Sequence, residues 1–173
     1  TAQAARQAGI TIDQIAAEAD IAPRTFFSYF DSKDDVVLAD YADRLSRIVG
    51  ELDRRPLGES IWTALRSSFA VVASDYEAEA DRLARRFAIM ATTPSVHARS
   101  LQLQAGWEIT LGSHIAAREG AETDDPEPGL LAAAALAAMR ASLQYWLTTD
   151  RTTLLPRLVQ ESFDRLGGGL APR

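Results

Sequence analysis

The stretch from Ile10 to Asp35, ITIDQIAAEADIAPRTFFSYFDSKDD, constrains the fold more tightly than any other part of the chain. Its punctuation sets two short helices on either side of a tight turn, with a third helix after them. Thr11 followed three residues later by Gln14 is a capping-box pattern, which places a helix start at Ile12. Ile12, Ile15, Ala16 and Ala19 then share one face. Asp20, Ile21 and Ala22 suffice for the turn. Pro23 suits the first helical position, because the amide it lacks has no intrahelical partner there. Ser32 with Asp35 gives a second cap, and Asp34 and Asp35 lie favourably in a first turn. Phe26 and Phe30, four apart, face the core together. Arg24, Thr25, Ser28 and Tyr29 are left to project outward.

That outward set suits a helix entering the DNA major groove, where a few side chains reach base edges. Arg24 can make a bidentate contact to guanine, the commonest specific pairing. Thr25 can touch a phosphate or a thymine methyl. The Ser28 and Tyr29 hydroxyls suit phosphate oxygens, which position a protein without reading sequence. Lys33, the only lysine in the chain, stands at a helix N-terminus and adds its charge to free amides there. An ordinary helical hairpin with a solvated face has the same spacing, so spacing alone leaves both readings open.

The residues themselves go further. The segment IAAEADIAPRTFFSYFDSKDDVV resembles the DNA-binding domain of the TetR (tetracycline repressor) family. The family blocks correspond here to Ile15-Ala16, then Ala19-Asp20-Ile21-Ala22, then Thr25-Phe26-Phe27-Ser28-Tyr29-Phe30, and finally Ser32-Lys33-Asp34. The resemblance implies a sequence-specific DNA-binding regulator with contacts from Thr11, Arg24, Thr25, Ser28, Tyr29 and Lys33. Phe26 and Phe30 are then structural. Two positions depart from the pattern. Asp20 stands where glycine is usual, so the turn needs a strained or altered backbone. Phe27 stands where tyrosine is frequent, which removes a hydroxyl from the DNA side.

The region before Thr11 fits less well. TAQAARQAG lacks the large apolar residues that a three-helix DNA-binding domain needs. Residues are expected to be missing before Thr1 or around residues 7–10, unless the first helix is truly short. Charge sharpens the point: residues 1–55 carry seven Lys and Arg against ten Asp and Glu. Phosphate neutralisation normally drives affinity. The carboxylates must therefore point away from DNA, or a basic N-terminal arm must supply the rest.

Composition bounds the rest. The chain has 173 residues, 47% of them hydrophobic, and a net charge of −6. Alanine and leucine dominate and β-branched runs are few, so the fold class is all-α. The expected order is a three-helix helix-turn-helix domain with its connecting helix (1–52), a larger helical ligand-binding and dimerisation domain (58–166), and a flexible tail (167–173). Without cysteine there is no disulfide framework and no thiolate metal site. LLAAAALAAM is too short to span a membrane, and no signal peptide is visible, so the expected location is cytoplasmic. Seventeen arginines to one lysine suggest a GC-rich bacterial genome.

Successive apolar stripes follow the motif. Leu38, Tyr41, Leu45, Ile48 and Leu52 mark one connecting helix over residues 33–52, and Arg54-Arg55-Pro56-Leu57-Gly58 ends it. Trp62, Leu65, Phe69, Val72 and Tyr76 come next, then Ala80, Leu83, Phe87 and Met90. Pro94 opens a long helix carrying Leu103, Trp107, Leu111 and Ile115. After an acidic loop over residues 122–128, a helix from Pro128 to Thr148 is apolar nearly all round. Such a helix needs cover on every face. A second subunit, packed through the last two helices as a four-helix interface, would supply it; burial inside one subunit is the alternative. Paired recognition helices about 34–36 Å apart would then match a palindromic operator of double-stranded DNA.

From residue 59 on, the ATTPSVHARSLQLQAGWE and DDPEPGLLAAAALAAMRASLQYWL segments resemble the mycofactocin-regulator type of C-terminal domain in the same family. The likeness implies a pocket for a small-molecule effector. Trp62, Phe69, Phe87, Met90 and Trp107 lie on inward stripes and either line a mainly apolar cavity or simply pack the core. His97 and His114 are seventeen residues apart on one helix, about 25 Å, too far to share a metal. No cofactor is expected. Enzyme signatures are missing: there is no His-Glu-x-x-His, no Glu-x-x-His pair and no glycine-rich phosphate loop. The expected function is transcriptional regulation, as a repressor released from its operator by ligand. The rival is a small-molecule-binding or scaffold dimer with a vestigial DNA motif.

Overall fold

A computed structural model describes residues 12–30, 32–122, 124–149 and 151–170, without the side chains at positions 12, 13, 15 and 33. Among them are nine α-helices and no strand: α1 (Ile12–Glu18), α2 (Pro23–Tyr29), α3 (Lys33–Val37), α4 (Tyr41–Asp53), α5 (Ile61–Ala78), α6 (Ala80–Thr92), α7 (Pro94–Glu119), α8 (Glu127–Thr148) and α9 (Leu155–Gly167).

Local chemistry sets the helix ends. Ser32 and Ser60 cap α3 and α5 by accepting the amides of Asp35 and Thr63. Proline stands in the first turn of α2, α7, α8 and α9. α7 ends on Gly120 at φ +65°, a left-handed stop that glycine adopts without Cβ crowding.

The main core lies among α4, α5, α7, α8 and α9. Ile48, Leu52, Leu65, Phe69, Leu111, Ile115, Ala135 and Phe163 are all buried there. α5 packs along α9, and α7 along α8. α7 and α8 approach closely at Gly112, where an added Cβ would come into ordinary contact, 3.4 Å from the Gly129 Cα. Arg118 on α7 donates to the carbonyls of Leu52, Arg55 and Pro56 at 3.2, 3.2 and 2.6 Å. It so caps the C-terminal end of α4, which leaves carbonyls without helical partners.

Two expectations change. The single connecting helix over residues 33–52 is two helices, α3 and α4, parted at residues 38–40. Two different cores compete for the stripe. Leu38 packs with Met90 and Val96 in a small satellite cluster, whereas Ile48 and Leu52 belong to the main one. The chain turns between them through tight bonds, Leu38 N to Asp35 O at 3.1 Å and Tyr41 N to Leu38 O at 3.0 Å.

The second change concerns α8. It has 22 residues, and a mean hydropathy of 1.2 makes it long and apolar enough to cross a membrane by length and composition. The run LLAAAALAAM alone understated it. Its packing explains the composition, since Ala132, Ala135, Ala138, Met139, Leu143 and Trp146 are buried within this fold. One side is uncovered by the chain itself, with Leu130 69% and Tyr145 58% exposed.

Candidate nucleic-acid interface and effector cavity

The α1–α2 pair is built around a left-handed residue. Asp20 has φ +54°, and the bonds Asp20 N to Ala17 O at 3.2 Å and Ile21 N to Ala16 O at 2.9 Å close a Schellman turn on it. The turn keeps the left-handed backbone that glycine usually supplies, so the aspartate sits in it strained and the backbone is not altered. The turn lays α2 across α1. Ala16 and Phe26 are buried, and Phe30 stacks 5.3 Å from Phe26.

Burial of Phe26 fixes what α2 shows to solvent. Arg24, Thr25, Ser28 and Tyr29 are all exposed, Tyr29 by 76%. Phe27 is exposed as well. The Ser28 hydroxyl donates to Thr25 O at 2.6 Å, so it must rotate to meet a phosphate oxygen. Lys33 opens α3, but its side chain lies outside the described residues, as does Thr11. Among the described side chains, the structure gathers Arg24, Thr25, Ser28 and Tyr29 on one short helix.

The acidity of this region is partly turned inward. Asp35 accepts from Arg99 Nε on α7 at 2.8 Å and from the Ser32 hydroxyl at 2.9 Å. Burial would raise its pKa, but those hydrogen bonds and the Arg99 charge hold it below the ordinary value. Asp40, in the α3–α4 turn, is held by two buried arginines. Arg44 donates through Nη2 at 2.6 Å, and Arg86 Nη2 lies 2.6 Å from the other carboxylate oxygen. Burial again acts upward on the Asp40 pKa, and the Arg86 and Arg44 contacts outweigh it. These two carboxylates face the C-terminal helices rather than a DNA backbone.

A cavity opens next to these arginines, among α6, α7 and α8. An inner chamber of about 80 Å³ has Tyr41, Arg44, Tyr76, Arg86, Phe87, Trp107 and Met139 in its wall. An outer groove of about 590 Å³ runs past Met90, His97, Leu101 and Leu147. Tyr41, Phe87, Gln104 and Arg140 line both. Of the five residues expected at a pocket, Phe87, Met90 and Trp107 lie here and Trp62 and Phe69 do not. Phe69 is fully buried 5.5 Å from the Phe163 ring. Trp62 stacks 4.8 Å from that ring and donates to the Phe163 carbonyl at 3.2 Å. The α5 stripe turns toward α9, so these two rings pack the core on the far side. His97 and His114 are both exposed.

Sequence reasoning missed Arg44 and Arg86. Each lies on an apolar stripe, Arg44 between Tyr41 and Ile48 and Arg86 between Leu83 and Met90. A charge on an inward face is the signal that was available.

Residues 7–39 match the family model of bacterial regulatory proteins of the tetR family, and residues 59–171 match that of the MftR C-terminal domain. The chain belongs to the TetR family. Its relatives include the "Putative mycofactocin biosynthesis transcriptional regulator MftR" of Mycobacterium tuberculosis, 30% identical over 93% of this chain and 81% of that protein. Another is the HTH-type transcriptional regulator TcmR of Streptomyces glaucescens, 32% identical over 83% of this chain and 67% of that protein. The TetR-family regulator PfmR from Thermus thermophilus superposes with a TM-score of 0.48 at 15% identity, covering 94% of this chain and 90% of that one. As a TetR-family member the chain is a DNA-binding transcriptional regulator, and release by a small molecule is typical of the family.

Proposed function

We infer that the protein is a dimeric repressor that leaves its operator when a small molecule fills the cavity among α6, α7 and α8. The observation carrying this is the exposed set Arg24, Thr25, Ser28 and Tyr29 on α2, backed by the buried Phe26. Residues 1–52 act as the DNA-binding part, 58–166 as the effector-binding and dimerisation part, and 167–173 as a tail whose first residue, Gly167, still closes α9. Arg24 reads a base, while Thr11, Thr25, Ser28, Tyr29 and Lys33 hold phosphates or flanking groups. Phe87, Met90 and Trp107 contact the effector. The uncovered side of α8, with Leu130 and Tyr145, pairs with its copy together with α9. Such a protein works in the cytoplasm, where its operator is.

Effector binding acts by population shift: the ligand must prefer the conformation that does not fit DNA. The test is a salt titration with a palindrome selected from random duplexes against a scrambled one. A regulator prefers the palindrome strongly, with affinity falling steeply as salt rises. Equal, weak binding to both duplexes would overturn the reading and favour the scaffold dimer. A monomer by light scattering would remove the dimer.

A further inference from the structure

We propose that the effector carries an anionic head group, such as a carboxylate, that takes Arg44 and Arg86 in competition with Asp40. This rests on the cavity being the effector site and adds the chemistry of recognition and release.

The inner chamber is not merely apolar. Its wall contains three guanidiniums, from Arg44, Arg86 and Arg140, against a single carboxylate, the exposed Glu108. Arg44 and Arg86 are buried, their side chains only 9% and 10% exposed. Buried arginines without an anion are costly. Their present partner, Asp40, approaches from outside the chamber, lining the polar cleft behind it with Asp75 and Glu79. Arg44 and Tyr76, the guanidinium 4.3 Å over the ring, line both spaces and so form the partition between them. A carboxylate in the chamber meets the same two guanidiniums from the opposite side.

Asp40 is also where that competition acts on DNA binding. It sits in the turn between α3 and α4, and its ion pairs with Arg44 on α4 and Arg86 on α6 fix that turn. Arg82 adds a weaker contact at 3.6 Å, and Glu79 competes for Arg44 at 3.3 Å. The far end of α4 is held separately by Arg118. Loosening Asp40 therefore frees the end of α4 that faces the helix-turn-helix while the other end stays anchored. A neutral ligand of the same shape fills the chamber without drawing on the arginines.

The experiment pairs octanoate with octan-1-ol and 4-phenylbutyrate with 4-phenylbutan-1-ol, titrated calorimetrically into the full chain. Amide hydrogen exchange is followed at residues 34–41. The carboxylates should bind about tenfold tighter than the alcohols and speed exchange at 34–41, which the alcohols should not. Arg86→Gln should erase the preference. Because that variant strands Asp40 and risks misfolding, Asp40→Asn gives the opposite sign. With the competing carboxylate gone, carboxylate affinity should rise several-fold while alcohol affinity holds. Alcohols binding as tightly as carboxylates, or an Asp40→Asn variant with unchanged carboxylate affinity, would overturn the proposal and leave the cavity as an effector site. Failure of all four probes to bind would remove both.

Discussion

Asp20 gives the sharpest test of how the helix-turn-helix is held. It is exposed, and its φ of +54° closes the α1–α2 turn through the amides of Asp20 and Ile21. Left-handed backbone crowds an L-residue's Cβ at a cost of about 1–2 kcal/mol, and aspartate tolerates it better than most. Glycine removes that crowding but gives back roughly 0.5–1 kcal/mol through its freer unfolded chain. Asp20→Gly should therefore stabilise by about 0.5 kcal/mol, near 1–2 °C for a chain of this size. Asp20→Ala keeps the Cβ and loses the local hydrogen bonding that helps aspartate, so it should destabilise by about 1 kcal/mol. Asp20→Asn should match the parent, because asparagine shares that tolerance.

Urea denaturation of the four proteins, followed by circular dichroism, reads this order directly. An alanine variant as stable as the glycine variant would refute the strained-turn account. The asparagine and glycine variants also separate charge from backbone at DNA. Both remove a carboxylate beside α2; at about 10 Å from a phosphate in water its repulsion is worth roughly 0.4 kcal/mol. Both should bind the operator about twofold tighter at low salt, and the gain should fade toward roughly 0.15 M as screening sets in. A gain in the glycine variant alone would assign the effect to turn geometry.

Other outcomes follow from the same geometry. In α9 a Cβ on Gly167 would lie 2.8 Å from Trp62 Nε1, so Gly167→Ala should lower stability by about 1–3 kcal/mol in urea melts while effector affinity holds. Burial pushes the Asp35 and Asp40 pKa values up, but their hydrogen bonds and arginine charges hold both below the ordinary carboxylate value in the fold. Their stabilisation is complete above about pH 5 and is lost as pH falls through those lowered values. Urea midpoints measured down to pH 3 should thus fall further for the parent than for Asp40→Asn. Arg24→Ala should relax base preference at one operator position by about 1–3 kcal/mol. Lys33→Ala should weaken every duplex alike and reduce the salt slope by about 1; competition binding with operator variants distinguishes the two.

The elements were legible where local chemistry decides them. Pro23, Ser32, Pro94 and the apolar stripes announce their helices, and the block from Thr25 to Lys33 announces the recognition helix. What could not be read was convergence in space. A stripe says which face is inward but not which neighbour it meets, so Trp62 and Phe69 looked equivalent to Phe87 and Trp107. Only packing separates them, the first two on Phe163 of α9 and the others beside α8. The break at residues 38–40 was hidden for the same reason. Leu38 and Ile48 fit one helical period, yet their partners are in different clusters.

That break changes how a signal can reach DNA. A continuous helix over residues 33–52 would carry the recognition helix as a rigid extension of the effector-binding part. Two helices joined at Asp40 make the joint itself adjustable. α4 has 13 residues and is about 20 Å long. With its C-terminal end clamped by Arg118, a 10° pivot moves the Asp40 end by about 3.5 Å. In the proposed dimer the two ends could shift by about 7 Å relative to each other, against the 34–36 Å that one duplex turn sets. That is roughly a fifth of the spacing, the rise of two base pairs. A small rotation suffices, provided Asp35 and Arg99 keep α3 tied to α7 only loosely enough to follow. Arg99→Ala tests this last condition. It should leave operator affinity within a few-fold while lowering the effector concentration needed for release, because one of the ion pairs that hold the joint is gone. An unchanged or raised release concentration in a fluorescence anisotropy titration would mean that Asp35 and Arg99 do not restrain the joint.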